Sequence, residues 1–214
     1  MEQLASFLAL MVLVTAVLNV ASPFLKSAVS LNMLQSWMLS FYILIVAINS
    51  NILHLYLSFL ATLIFKGFII PMLLFVVLKK IGKEREIDMV VSIPSAVVLS
   101  GFFVLASSAL STKFTGLHFI FGRFVFVSSL STLLIGGLLL VIRKMLFSQI
   151  LGLLIIENAI FLAANSVATG MPLIVELGVL FDIFISILIS SVLLLRIKRK
   201  FEDIKVEALE VLKE

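Results

Sequence analysis

The chain alternates long apolar stretches with short polar breaks. Seven stretches read as membrane-crossing helices: 4–20, 29–48, 52–78, 89–110, 119–142, 145–168 and 173–197. A hydrocarbon core of ~30 Å takes ~20 residues of helix. None of the stretches shows the period-two alternation of a barrel strand. The predicted fold is therefore all-α, a polytopic transmembrane helix bundle of about seven spans. The second stretch is the least apolar, interrupted by Asn32, Gln35, Ser36 and Ser40. Those residues suit a helix that faces protein rather than lipid. The first stretch has no basic segment before it and no clear small-residue cleavage site. It is read as a retained helix, not a signal peptide. In the tail, residues 198–214, Phe201, Ile204, Ala208 and Val211 fall at helical spacing with charges between them. That pattern predicts a short amphipathic helix on a membrane surface or a partner.

The prolines fit this map. Pro23 lies in the first break, Pro94 in the first turns of the fourth helix and Pro172 just before the seventh. A missing N–H costs little at a helix start. Pro71 is different, because it falls inside the third helix. It cannot donate to the carbonyl of Gly67, so a break is expected there, directly beside Lys66. Irregular backbone at membrane depth is tolerated only where protein or water satisfies it. Lys66 is therefore expected to face a protein-lined or hydrated interior. Gly136 and Gly137 are expected to allow close packing of neighbouring helices.

Composition agrees with the pattern. The chain of 214 residues is 62% hydrophobic and 13% charged, against ~45–50% and ~25% for a soluble domain. Its net charge of +4 comes from basic residues that flank the apolar stretches, so it indicates topology rather than nucleic acid. Lys26, the group Lys79, Lys80, Lys83 and Arg85, the pair Arg143 and Lys144, and the group Arg196, Lys198, Arg199 and Lys200 all fall on one face if there are seven spans. The other face has mainly Lys113 and Arg123. The positive-inside rule then puts the N-terminus outside and the C-terminus in the cytoplasm. Cysteine is absent, which excludes a thiolate zinc site or an iron–sulfur cluster on this chain. His54 and His118 are too few for a haem pair or a histidine-rich metal site, and read as residues of the outer interface. There is no phosphate loop, catalytic triad or metal-ligand cluster. No cofactor and no nucleic-acid partner are expected.

Lys66, Glu157 and Asp182 carry the candidate chemistry. Each sits in the middle of an apolar stretch, where a charge is expensive and normally paired or lining a polar path. Lys66 lies 13 residues before Lys79, Glu157 13 after Lys144, and Asp182 14 before Arg196. At ~1.5 Å per residue all three stand roughly 20 Å from the same face. Three ionisable groups at one depth suggest a polar axis in the membrane plane. One reading is a proton relay, in which a proton gained or lost at one group shifts its neighbours. The other is structural: a buried ion pair or a neutral carboxyl that ties helices together. Glu176 lies near the outer edge, where it either pairs with Arg123 or is solvated. Asn158 and Asn165 read first as interhelical hydrogen-bonding residues.

Three segments carry a family resemblance: TLIFKGFIIPMLL around Lys66, Gly67 and Pro71; SQILGLLIIENAIFLA around Glu157; and GMPLIVELGVLFDIFISILI around Glu176 and Asp182. The chain resembles the hydrogenase-4 component E family, a membrane subunit of formate hydrogenlyase and related energy-converting nickel–iron hydrogenases. The resemblance runs over nearly the whole chain. It divides the chain into a four-helix region, 1–110, a three-helix region, 111–197, and the cytoplasmic tail, 198–214. The three-helix region is similar to subunit K of respiratory complex I and to its counterpart in cation/proton antiporters of the multisubunit type. In that comparison Asp182 falls on the final-helix glutamate of subunit K, and Glu157 stands about one turn from the other glutamate. The resemblance implies a protein without a redox centre in a prokaryotic cytoplasmic membrane. Its partners would be antiporter-like subunits and the membrane subunit that anchors the hydrogenase. Lys66, Glu157, Asp182 and Glu176 would serve proton or ion translocation. Membership of a multisubunit Na⁺/H⁺ antiporter, a stand-alone secondary transporter and a structural scaffold remain alternatives. The transporter reading has only one paired-helix break to draw on, at Pro71.

Overall fold

The structure, a computed structural model, describes residues 1–82, 84–86, 89–114, 119–167, 184 and 187. The helices are α1 (Glu2–Ala21), α2 (Leu25–Ser50), α3 (Leu53–Ala61), a π-helical segment (Thr62–Ile69), α4 (Ile70–Ile81), α5 (Ile93–Ser111), α6 (Arg123–Ile142) and α7 (Leu146–Val167). The α3, π and α4 segments run on as one rod. Among the described residues six helices are thus long and apolar enough to cross a membrane, and they match the first six predicted stretches. The seventh stretch, apart from residues 184 and 187, and the tail 198–214 lie outside the described residues.

The elements follow local signals. Pro94 stands second in α5, where its missing N–H is no loss. Asn51 adopts φ 51° and ends α2, and Gly82 adopts φ 69° and ends α4. Both are left-handed positions that glycine and asparagine tolerate best. Three helix starts differ from expectation by four residues, the first being α2, which begins at Leu25 rather than at 29. The apolar pattern starts the fifth stretch at 119, but Gly122, at φ 83°, delays α6 to Arg123. It starts the fourth at 89, but Met89 pairs in an extended bridge with Arg143, and α5 begins only at Ile93.

That bridge belongs to a larger clasp. Phe24 also pairs with Arg85, Leu25 N–H donates to the Glu84 carbonyl, and Glu86 N–H donates to the Pro23 carbonyl. The α1–α2, α4–α5 and α6–α7 connections therefore meet at one end of the bundle.

Helix α6 packs along α7, α1 lies against α2, α5 and α6, and α2 joins both α7 and the α3–π–α4 rod. The α6–α7 contact is close because a Cβ at Gly136 would come within 2.7 Å of Ile156 Cγ1, and one at Gly152 within 3.1 Å of the Gly136 carbonyl. Gly137, expected to share this role, has open space at its Cβ position. Apolar side chains fill three clusters. One is built around Tyr42, Phe121 and Leu162, one around Leu25, Leu74 and Phe147, and one around Ile135, Leu139 and Ile155. Ile187, from the seventh stretch, is buried in the second cluster. Large apolar residues also cover the outside: Met72, Val98, Leu105 and Val141 are all more than 70% exposed. Apolar side chains exposed to this extent on membrane-length helices fit a lipid or protein contact.

Candidate functional site

The site begins with a backbone problem. In an α-helix the Gly67 carbonyl would accept from the N–H of residue 71, and Pro71 has none. The chain answers with a wider turn. Thr62–Ile69 form a π-helix, with i→i+5 bonding, a rare geometry that is frequent at functional sites. The Gly67 carbonyl receives its hydrogen bond from another helix: Trp37 Nε1–H of α2 donates to it at 3.1 Å. Glycine is required there, because a Cβ would lie 2.8 Å from Trp37 Cδ1 and Nε1. Pro71 removes a donor, Gly67 makes room, and Trp37 supplies the replacement.

Lys66 sits inside this wide turn and is 3% exposed. Its Nζ lies 2.6 Å from Glu157 Oε1 on α7, and both side chains are buried. The same nitrogen donates to Asn158 Oδ1 at 3.4 Å and stands 4.2 Å from the centre of the Phe161 ring. Phe161 is four residues beyond Glu157, hence on the same face of α7, and its ring quadrupole favours the cation. Apart from Lys66, neither oxygen of the Glu157 carboxylate has a partner among the described residues.

A chain of amides leads from Lys66 into the rest of the bundle. Asn158 Nδ2 donates to Gln35 Oε1 at 3.0 Å and lies 3.4 Å from Ser36 Oγ. Gln35 Nε2 donates to the Val12 carbonyl at 3.0 Å, and Ser36 Oγ donates to the Asn32 carbonyl at 3.1 Å. The direction of this chain is set at its far end. A backbone carbonyl can only accept, so Gln35 turns its NH₂ to Val12 and its oxygen to Asn158. Ser36, whose proton is committed to Asn32, also accepts from Asn158. Asn158 must then present its oxygen to the ammonium. Three helices thereby fix a dipole that favours a charged Lys66.

The expected site residues divide. Lys66 and Glu157 are brought together, and Gly67 and Pro71 form the break beside them. Asp182, Glu176 and His118 lie outside the described residues. Arg123, the suggested partner of Glu176, donates through Nε to Ser111 Oγ at 2.9 Å. Asn165, expected to bond between helices, instead donates its Nδ2 to the Phe161 carbonyl of its own helix. Pattern reading assigns Gln35 and Ser36 to a protein-facing surface but not to the site. The spacing of Asn32, Gln35 and Ser36, one helix face, is the available signal. For Trp37, the single tryptophan, the sequence holds no signal.

A second buried charge cluster occupies the clasp. Arg143, which the sequence pattern presents only as a topology anchor, is 3% exposed. Its Nη1 lies 3.4 Å from Glu86 Oε2. Its Nη2 donates to the carbonyls of Asn19, Val20 and Ser22, the last at 2.7 Å. Glu86 also accepts from Met145 N–H, at 2.9 Å, and from Ser148 Oγ. The guanidinium thus caps the C-terminal carbonyls of α1, and the carboxylate caps the N-terminus of α7. Burial pushes the guanidinium down from its ordinary value and Glu86 opposes that shift.

No family model matches the chain. No solved structure matches it either. The chain is similar to Uncharacterized protein Rv0085 of Mycobacterium tuberculosis, at 26% identity over 159 residues, covering 72% of this chain and 71% of that protein. Among the described residues no group of three or more His, Cys, Asp or Glu side chains is placed to hold a metal ion.

Proposed function

We propose that this chain is a membrane subunit, without a redox centre of its own, of a hydrogenase-4 or formate hydrogenlyase-type complex. In this reading the Lys66–Glu157 pair is one station of a proton or ion path. The observation that carries it is a lysine–glutamate pair, both members buried, at mid-length of membrane-length helices, on a π-turn. An ion pair in that position is costly to keep for stability alone. Both groups can titrate, and their separation of 2.6 Å couples them. A proton that reaches Glu157 removes the negative charge facing Lys66, while Asn158 Oδ1 and the Phe161 ring stay beside the ammonium. The family resemblance adds Asp182 and Glu176 as further stations.

The test is hydrogen-linked ion uptake by inverted vesicles that carry the whole complex, with assembly checked on native gels. Glu157→Gln and Asp182→Asn should assemble and lose uptake. Variants that assemble and pump at wild-type rates would assign the pair to structure alone. Purification should also bring down a nickel–iron subunit. Recovery with antiporter subunits only would move the chain to a multisubunit Na⁺/H⁺ antiporter.

The proposed topology has seven spans, with the clasp end in the cytoplasm, because Lys26, Lys79, Arg85 and Lys144 gather there. In this cysteine-free chain, single cysteines at Lys83 and Thr115 should label from opposite sides. Labelling of both from one side would refute it.

A further inference from the structure

The outer face between α2 and α4 carries a groove that changes character along its length. Its deeper part is a cavity of about 420 Å³ lined by Met33 of α2 and by Phe68, Pro71, Met72 and Phe75 of the rod, with Lys79 at its end. A second cavity of about 380 Å³ adjoins it and shares Phe75 and Lys79; Lys26, Leu78, Gly82 and Glu84 complete it. Lys79 is eight residues beyond Pro71, so the apolar part extends ~12 Å below the basic mouth. Phe68 is 51% and Met72 71% exposed, so the apolar wall is open on its outer side.

We infer that this groove holds one anionic phospholipid, with an acyl chain against Met33, Phe68 and Met72 and the phosphate between Lys26 and Lys79. Charge and depth select this occupant. The mouth carries two lysines against one glutamate, a net charge of +1 from side chains on its lining. Lys26 lies in the first turn of α2, where the positive end of the helix favours an anion. Its partner Glu84 is 3.3 Å away, but the two side chains are 68% and 80% exposed. Exposed pairs of this kind are weak, so Lys26 can exchange Glu84 for a phosphate. Basic pockets at helix ends facing the cytoplasm suit such headgroups. The inference rests on the membrane reading of the six helices and on the proposed cytoplasmic placement of the clasp end, and is independent of the hydrogenase assignment.

The test uses the full chain purified in mild detergent and offered equal amounts of phosphatidylglycerol and phosphatidylethanolamine, with bound lipid read by native mass spectrometry. Wild type should retain phosphatidylglycerol preferentially. Lys26→Gln and Lys79→Gln should each reduce that preference about fivefold, the effect expected of one basic residue near an anionic surface. Met33→Trp, which fills the apolar end and leaves the charges alone, should lower retention of phosphatidylglycerol. Equal retention of the two lipids by wild type, or an unchanged preference in the double lysine variant, overturns the proposal. A photo-crosslinker at Met72 in native membranes should give a phospholipid adduct. An adduct with another polypeptide overturns it in favour of a protein occupant. None of these outcomes depends on ion uptake, so each is separable from the fate of the proposed function.

Discussion

Arg143 and Glu86 meet at 3.4 Å where three helix connections converge, and Lys66 and Glu157 meet at 2.6 Å halfway along two helices. All four side chains are buried. At the clasp, the pair is held from several sides besides its own contact. The guanidinium holds three backbone carbonyls, and the carboxylate holds a backbone N–H and a hydroxyl besides the arginine. Arginine does not give up its proton in proteins, and its rigid fork suits a fixed set of acceptors. At the mid-helix pair the carboxylate has nothing but Lys66 among the described residues. The cation there is a lysine, a compact charge that does titrate when buried. Burial of an ion pair is therefore a poor guide to its role. How completely its atoms are satisfied, and whether the cation can lose its proton, separate a staple from a switchable group.

The largest effect should come from Arg143→Ala. It leaves Glu86 buried without its counter-charge and uncaps the end of α1. Breaking a buried pair from one side costs roughly 3–5 kcal/mol. Arg143→Lys should recover little, because an ammonium lacks the fork that reaches both Glu86 and the α1 carbonyls. The readout is the melting temperature of the detergent-purified chain by fluorescence-detected size exclusion. A wild-type melting temperature in Arg143→Ala would dissolve the contrast, since the clasp would then not be a staple.

The mid-helix pair should behave otherwise. Lys66→Met leaves a carboxyl that can become neutral, so the expected cost is that of an unsatisfied buried group, roughly 1–3 kcal/mol. Lys66→Met with Glu157→Leu removes both charges of the pair together and should be more stable than either single variant. The singles and the double should thus be non-additive, as for any contacting pair. Ion uptake should be lost in all three variants. A double variant less stable than either single would make this pair a staple too.

The helices were legible in the sequence because each is a continuous apolar run, and such a run has few alternatives in a bilayer. Lys66 and Glu157 were legible for the same reason, since a charge in that setting must find a partner. What pairs with what across the bundle was less accessible. Arg143 reads only as a topology anchor because its partners are mostly backbone carbonyls at the end of α1, more than 120 residues earlier, which leave no trace in side-chain pattern. The break beside Lys66 was expected from Pro71, but not its form. Whether a missing N–H yields a kink or a π-turn depends on what else can reach the freed carbonyl, and Trp37 reaches it from 30 residues away.

The smallest effect sharpens that last point. Trp37→Phe keeps most of the ring's packing but removes the donor to the Gly67 carbonyl, an expected loss of about 1 kcal/mol. Adding Pro71→Ala returns a backbone N–H at the position from which an α-helix would satisfy Gly67. Stability should therefore recover in the Trp37→Phe/Pro71→Ala variant. Its geometry should not. Exchanging the π-turn for α-helix removes the extra residue, and one residue of α-helix is about 100° of rotation. Lys66 would then be turned relative to α4 and away from Glu157. The double variant should melt like wild type and fail in ion uptake. If it pumps normally, the wide turn is only a repair of the missing N–H. If it stays as unstable as Trp37→Phe alone, the carbonyl of Gly67 is not what the indole satisfies.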